Sequence, residues 1–214
     1  MEQPTTRVAA LIGDLVASRQ ATDRPGLQRG MESVFETVDG LVGGNPVFTI
    51  GDEFQARFPT ITQALEATLQ LHLRASHLTR LRIGIGWGEL VAEDPERSPY
   101  GQDGPCWWRA REAIEALDQA PRGRPVKVRT VIRTDSSFDA ILNGYLLLRD
   151  TVLDGFDQVD TEIAIGLLDG LNQTELASRL AINKSSVSRR AHAHGILALM
   201  DASDLRPFTI PARS

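Results

Sequence analysis

Cysteine is nearly absent from this chain: Cys106 is the one thiol in 214 residues. A disulfide within the chain and a zinc cluster built on cysteines are both excluded. Histidine is scarce too. Of its four residues, His72 and His77 fall in a helical stretch, and His192 and His194 are two apart and so on different faces of a helix. They are expected at the surface or at boundaries rather than as metal ligands. No apolar run approaches the roughly 18 residues of a membrane span. The start, MEQPTTR, lacks the charged-then-apolar order of a signal peptide. A cytoplasmic protein with no membrane partner is expected. Internal repeats and low-complexity tracts are missing as well. What remains is ordinary for a globular chain of one or two domains: 42% hydrophobic, 24% charged, formal net charge −5.

The apolar spacing predicts strands interleaved with helices. RVAALIGDLV over 7–16 is a continuous apolar run bounded by Gly-Asp, which suggests a buried strand delivering Asp14 to its C-terminal end. Helical spacing follows over about 26–42, and Asn45-Pro46 breaks the chain. VFTIGDEFQARF over 47–58 then reads as two short strands about a tight Gly51-Asp52 turn. Ile61, Leu65, Leu69 and Leu73 share one face of a helix running from Pro59 to about His77. LRIGIGWGEL over 81–90 is the next strand. In it Gly84, Gly86 and Gly88 alternate with Ile83, Ile85 and Trp87, so one face lets a ligand or another backbone come close. A loop over 91–103, a helix opened by Gly104-Pro105 and reaching about Leu117, and a turn over 121–125 come next. A strand over 126–132 and helices over about 138–153 and 161–171 complete the order, and the segment after Asp201 has no periodicity.

Residues 172–195, NQTELASRLAINKSSVSRRAHAHG, have the spacing of a helix-turn-helix. Thr174 caps a short helix whose Leu176, Ala177 and Leu180 face inward. Ala181-Ile182-Asn183 supplies the turn, with Asn183 suited to an unusual backbone angle. The second helix turns Val187 and Ala191 inward. Lys184, Ser185, Ser186, Ser188, Arg189 and Arg190 are left to meet phosphates and base edges of double-stranded DNA. Four basic residues against the single acid Glu175, in an acidic chain, favour this over a solvated helical hairpin.

Strand, helix, hairpin, helix, strand, helix, strand over 7–132 is the order of a ferredoxin-like, palm-type sandwich. Within it ALIGDLVAS, VFTIGDEFQARF, LRIGIGWGEL and GPCWWRAREAI resemble the motifs of class III nucleotide cyclases, and IGDEF is similar to the turn that names diguanylate cyclases. The resemblance implies metal ligands at Asp14 and Asp52, Mg²⁺ or Mn²⁺ as cofactor, and a nucleotide site at Gly51, Gly86, Trp108 and Arg111. Two aspartates suit such hard cations, which activate a hydroxyl and neutralise a triphosphate. The residues by themselves leave a second reading open. Asp14 and Asp52 also serve as turn residues, Glu53 as a solvated side chain, the glycines as a seat for a helix, and the tryptophans as core. Where these cyclases carry an Asn and an Arg against the transition state, this chain has Trp108 and Glu112. No catalytic residue is therefore assigned, and cyclase turnover is expected to be absent or very weak.

The whole arrangement resembles the SatD family of bacterial proteins over nearly the entire chain, a label that implies no settled activity. The expected fold is α+β: a ferredoxin-like (cyclase/palm-type) α/β sandwich over 1–135, then an all-α helical linker and helix-turn-helix domain over 136–214. The leading expectation is a DNA-binding transcriptional regulator with a nucleotide as ligand. It is expected to be a homodimer, because one recognition helix covers only half of a palindromic site and cyclase domains also pair. The alternative is a metal-dependent nucleotidyl cyclase or nucleotidyltransferase using Asp14 and Asp52. A scaffold for protein partners is the third reading.

Overall fold

The computed structural model describes residues 6–16, 18, 21–92, 101–119 and 128–203. Residues 93–100 of the loop expected over 91–103, the turn over 121–125, the first two residues of the strand expected over 126–132 and the segment beyond 203 lie outside the described residues. The chain divides into two compact units, Met1–Thr151 and Val152–Ser214.

The first unit runs β1 (Arg7–Leu15), α1 (Arg24–Val42), β2 (Val47–Phe48), β3 (Glu53–Phe58), α2 (Ile61–Arg74) and β4 (Leu81–Glu89). Two-residue strands β5 (Val91–Ala92) and β6 (Gln102–Asp103) pair with each other. They are followed by α3 (Pro105–Asp118), β7 (Thr130–Arg133) and α4 (Asp139–Asp154), whose last three residues are counted with the second unit. Five strands form one sheet in the order β2-β3-β1-β4-β7. β1 is antiparallel to both β3 and β4, and β7 joins β4 in parallel. The βαββαβ order expected for the sandwich is present, in a mixed α+β unit.

Helices cover both faces of the sheet, which is why β1 is a nearly continuous apolar run. Val8, Ala10 and Ile12 meet Cys106, Trp107, Ala110 and Ile114 of α3 on one face. On the other, Phe35 of α1 lies 5.1 Å from Phe48 and 5.0 Å from Phe54 between ring centroids. The predicted α2 stripe of Ile61, Leu65, Leu69 and Leu73 is buried, and the helix is capped by Thr60 accepting from the Gln63 N–H.

The three glycines of β4 face α3. A Cβ at Gly86 would lie 2.0 Å from the Cys106 carbonyl oxygen and 2.3 Å from the Ala110 nitrogen, and one at Gly84 2.5 Å from Ala110 O. They let a helix backbone lie directly on the sheet. Of the two readings raised for Gly86, ligand approach is corrected to helix packing.

The unit boundary, expected near 135, falls after 151 because α4 is stitched to β7. Asn143 bonds both the N–H and the carbonyl of Ile132 at 2.9 Å. The buried Asp150 carboxylate accepts the backbone N–H of Arg129 and of Thr130, each at 2.8 Å. Beside it the buried Arg149 donates to Thr68 and Thr130. His72, expected at a boundary, is buried in this network against Thr130.

The second unit holds α5 (Gln158–Leu168), α6 (Gln173–Arg179), α7 (Lys184–Ala193) and α8 (Ile196–Ser203). Two local expectations are corrected here. The cap of α6 is Asn172, in a reciprocal box with Glu175, and not Thr174. The unusual backbone angle falls on Ala181, φ 53°, whereas Asn183 caps α7 by accepting from the Ser186 N–H. Helix α8 was not foreseen.

Candidate functional site

Strand alternation decides what meets what at the end of β1. Asp14 stands opposite Glu53 on β3 and Arg82 on β4, so all three side chains emerge on the α3 face. Arg82 grips Asp14 with two bonds, 2.8 and 2.6 Å, and also reaches Asp118 at the end of α3. The bonds to Asp14, with the nearby Asp118 charge, raise the Arg82 pKa further despite partial burial. Alongside, Arg111 of α3 holds Glu53 bidentately at 2.6 and 2.9 Å. Burial alone would push the Glu53 carboxyl up, but Arg111, assisted by Gln55, outweighs it and holds the pKa below its ordinary value. Glu53 is thus a paired, half-buried group, not the solvated one expected.

Asp52 sits at the hairpin tip, after Gly51 at φ 67°, a left-handed angle that suits glycine. Its carboxylate accepts the Ser18 hydroxyl at 2.5 Å. It lines a cavity of about 280 Å³ with Ser18, Arg24, Gln28, Phe48 and Gly51. Asp14 lines no part of that cavity, and its two oxygens are engaged by Arg82. Among the described residues no cluster of three or more His, Cys, Asp or Glu side chains is arranged to hold a metal ion. Asp52 and Ser18 do offer a hard-oxygen pair open to a cavity, which suits Mg²⁺ or Mn²⁺ with ligand and water oxygens completing the shell. Asp14 fits that role only with the Arg82 pair open.

The residues expected at a nucleotide separate. Gly51 is at the Asp52 cavity and Gly86 lies beneath α3. Trp108 and Arg111 line a different cavity of about 390 Å³, on the α3 face, with Ile12, Gln55, Gln102 and Trp107. Trp108 is 58% exposed, with its indole N–H fixed on Asp103 at 2.7 Å. Trp107 is buried core. Cys106 is on the buried face of α3, where burial pushes its thiol up to about 11, so it stays protonated and is no nucleophile. Sequence reasoning missed Ser18, the last residue of the ALIGDLVAS stretch, and Gln102, which no motif marks. The alternation of β1 and β3 would have placed Glu53 on the Asp14 face.

In the second unit Lys184, Ser185 and Arg189 are exposed at the start and outer side of α7, and Ser186 and Ser188 are half-buried. Ser185 bonds the capping Asn183. Arg190 points back into the unit and bonds Asp157 and Asp160, each at 2.8 Å. Asp160 has a 1% exposed side chain and also meets His194 Nδ1 at 2.8 Å. The N–H of Asp160, then Arg190, hold the Asp157 carboxyl below its usual pKa. Arg179 pairs with Glu162 at 3.7 Å.

The sequence profile described as SatD family matches residues 8–203. No curated protein matches. The solved structures to which the chain is similar include a bacterial light-regulated adenylyl cyclase: 17% identity, 62% of this chain and 44% of that one, TM-score 0.47. The guanylyl cyclase Cya2 is matched at 15% identity over 54% of this chain and 73% of that one, TM-score 0.44. An adenylate/guanylate cyclase/hydrolase from Silicibacter pomeroyi is matched at 26% identity over 53% and 71%, TM-score 0.40. The chain spans less than half the length of the light-regulated enzyme. The leading expectation of a DNA-binding transcriptional regulator is corrected: Arg190, assigned to DNA, is bound to Asp157 and Asp160 of its own unit. No helix among the described residues is long and apolar enough to cross a membrane.

Proposed function

We propose that this chain, which belongs to the SatD family, uses its first unit as a nucleotide-cyclase-type site that binds a nucleoside triphosphate with Mg²⁺ or Mn²⁺. The observation that carries this reading is the Asp52–Ser18 pair at the hairpin tip, opening on a cavity of about 280 Å³ that Arg24 also lines. Asp52 supplies an anionic hard oxygen for the cation and Ser18 a neutral one, while Arg24 offers charge to phosphate. Asp14 lines no part of this cavity and is held by Arg82, so the reading rests on Asp52 and Ser18, and Asp14 would join only if its Arg82 pair opened.

The bound cation would supply charge neutralisation at the phosphates. The chain's own residues hold and orient it through Asp52 and Ser18. Where the cyclases carry an Asn and an Arg this chain has Trp108 and Glu112, and neither lines the Asp52 cavity, so the reading expects tight binding with weak cyclisation.

The test is thermal unfolding with Mn²⁺ plus ATP or GTP, wild type against Asp52→Asn, with product analysis for cyclic nucleotide. Ligand at about one hundred times its Kd stabilises by about 2.7 kcal/mol, roughly 5–10 °C for a unit of this size. Wild type should show that shift and Asp52→Asn should lose it. Equal shifts in both proteins would leave Asp52 a turn residue.

A further inference from the structure

The cavity on the α3 face carries unused hydrogen-bonding groups. Trp107 is only 7% exposed, yet its indole N–H has no acceptor. Both the amide oxygen and the amide nitrogen of Gln102 are buried without a partner. All three atoms belong to side chains lining the same space of about 390 Å³, the lower end of the size of small-molecule sites. Buried donors and acceptors in native proteins are nearly always paired, so three orphans around one cavity point to something that completes them.

The lining also says what that something is. Gln102 presents a donor and an acceptor side by side, which matches a ring edge carrying the complementary acceptor and donor. Trp107 adds one more donor. Trp108 holds its indole face open while Asp103 fixes the ring through its N–H, so a planar aromatic partner can stack without costing the side chain further freedom. Ile12 contributes an apolar wall. Arg111, the one cation among the described lining residues, is bonded bidentately to Glu53, so its charge is balanced and is not free for a phosphate.

We propose that this cavity binds a neutral nucleobase-type heterocycle, as a base or nucleoside, read by Gln102 and Trp107, stacked on Trp108, and bound without metal. None of its lining residues lines the Asp52 cavity, so it stands apart from the triphosphate reading.

The experiment is isothermal titration of the full chain with adenosine, guanosine, cytidine and uridine in EDTA, repeated with Gln102→Leu, Trp107→Phe and Trp108→Ala. Trp108 is exposed, so its removal leaves the fold intact; Gln102→Leu nearly keeps volume, and Trp107→Phe keeps an aromatic ring while removing the indole N–H. At least one nucleoside should bind saturably, with Kd raised tenfold or more by Gln102→Leu and by Trp108→Ala, and several-fold by Trp107→Phe. Absence of binding by all four, or affinity unchanged in Gln102→Leu and Trp108→Ala, overturns the inference. Binding seen only as the triphosphate with Mn²⁺ also overturns it, because the heterocycle would then belong to the metal-dependent ligand. A Mn²⁺-triphosphate shift that survives such a failure leaves the Asp52 reading standing, so the two fail separately.

Discussion

Acidification from pH 7.5 to 5.0 should weaken the first unit through His72. The imidazole is 4% exposed, its Nε2 lies 2.8 Å from the Thr130 hydroxyl, and its Nδ1 has no partner. Burial, reinforced by the Arg149 charge and opposed by Asp150, pushes its pKa from 6.5 down to about 3. The unfolded chain therefore takes up a proton that the folded chain refuses. The contribution of this residue is fully present above pH 6.5 and is lost as the pH falls from there towards 3. At pH 5.0 the unfolded histidine is about 1.5 pH units below its midpoint, which at 1.36 kcal/mol per unit costs about 2 kcal/mol. Asp150, also lowered although burial opposes it, loses its contribution only below its ordinary value of 3.8, outside this window. Urea unfolding followed by tryptophan fluorescence reads the first unit alone, because Trp87, Trp107 and Trp108 all lie within 1–151. His72→Leu, of similar volume, should start less stable at pH 7.5 and then lose about 2 kcal/mol less than wild type on going to pH 5.0. Parallel losses in the two proteins would show that His72 accepts its proton in the folded state, and would refute the reasoning.

Gly86→Ala should destabilise by roughly 1–3 kcal/mol or more, because the new methyl meets helix backbone that cannot rotate away. Gly40→Ala, inside α1 with nothing within 4 Å, should stabilise by up to about 1 kcal/mol; melting midpoints that move the same way in both would contradict the packing of α3 on β4. Arg190→Ala removes one of the two side chains on the buried Asp160 and should lower the melting of the second unit, read by far-ultraviolet circular dichroism on the full chain. An unchanged profile would make the Arg190 bonds incidental.

Much of the first unit was legible because its signals are local. The stripe 61, 65, 69, 73 closes on one face of α2 whatever it packs against, and the order of strand and helix patterns led to the βαββαβ unit. The cap at Asn172 was misplaced because Thr174 is an equally good capping residue on composition. Only the chain's path selects Asn172, whose side chain reaches the N–H groups of both Thr174 and Glu175. Helix α4 was read as a linker although Leu142, Leu146 and Leu153 are buried along it, because the bonds that tie it to β7, from Asn143, Arg149 and Asp150, are made by polar side chains whose partners lie 11 or more positions away.

The sequence by itself determined the alternation of strand and helix, the Gly51-Asp52 turn and the glycine face of β4, since each depends on residues a few positions apart. Tertiary structure alone decided that α3 and not a ligand fills the space over Gly86, and that Asp14 faces Arg82, 68 positions away. It alone turned Arg190 back onto Asp157 and Asp160 and left Gln102 and Trp107 with unanswered hydrogen bonds. The physical reason is common to all four: a charge or a buried amide takes its partner from whichever element the sheet register and helix docking bring within about 3 Å, and that partner leaves no trace in its sequence neighbours.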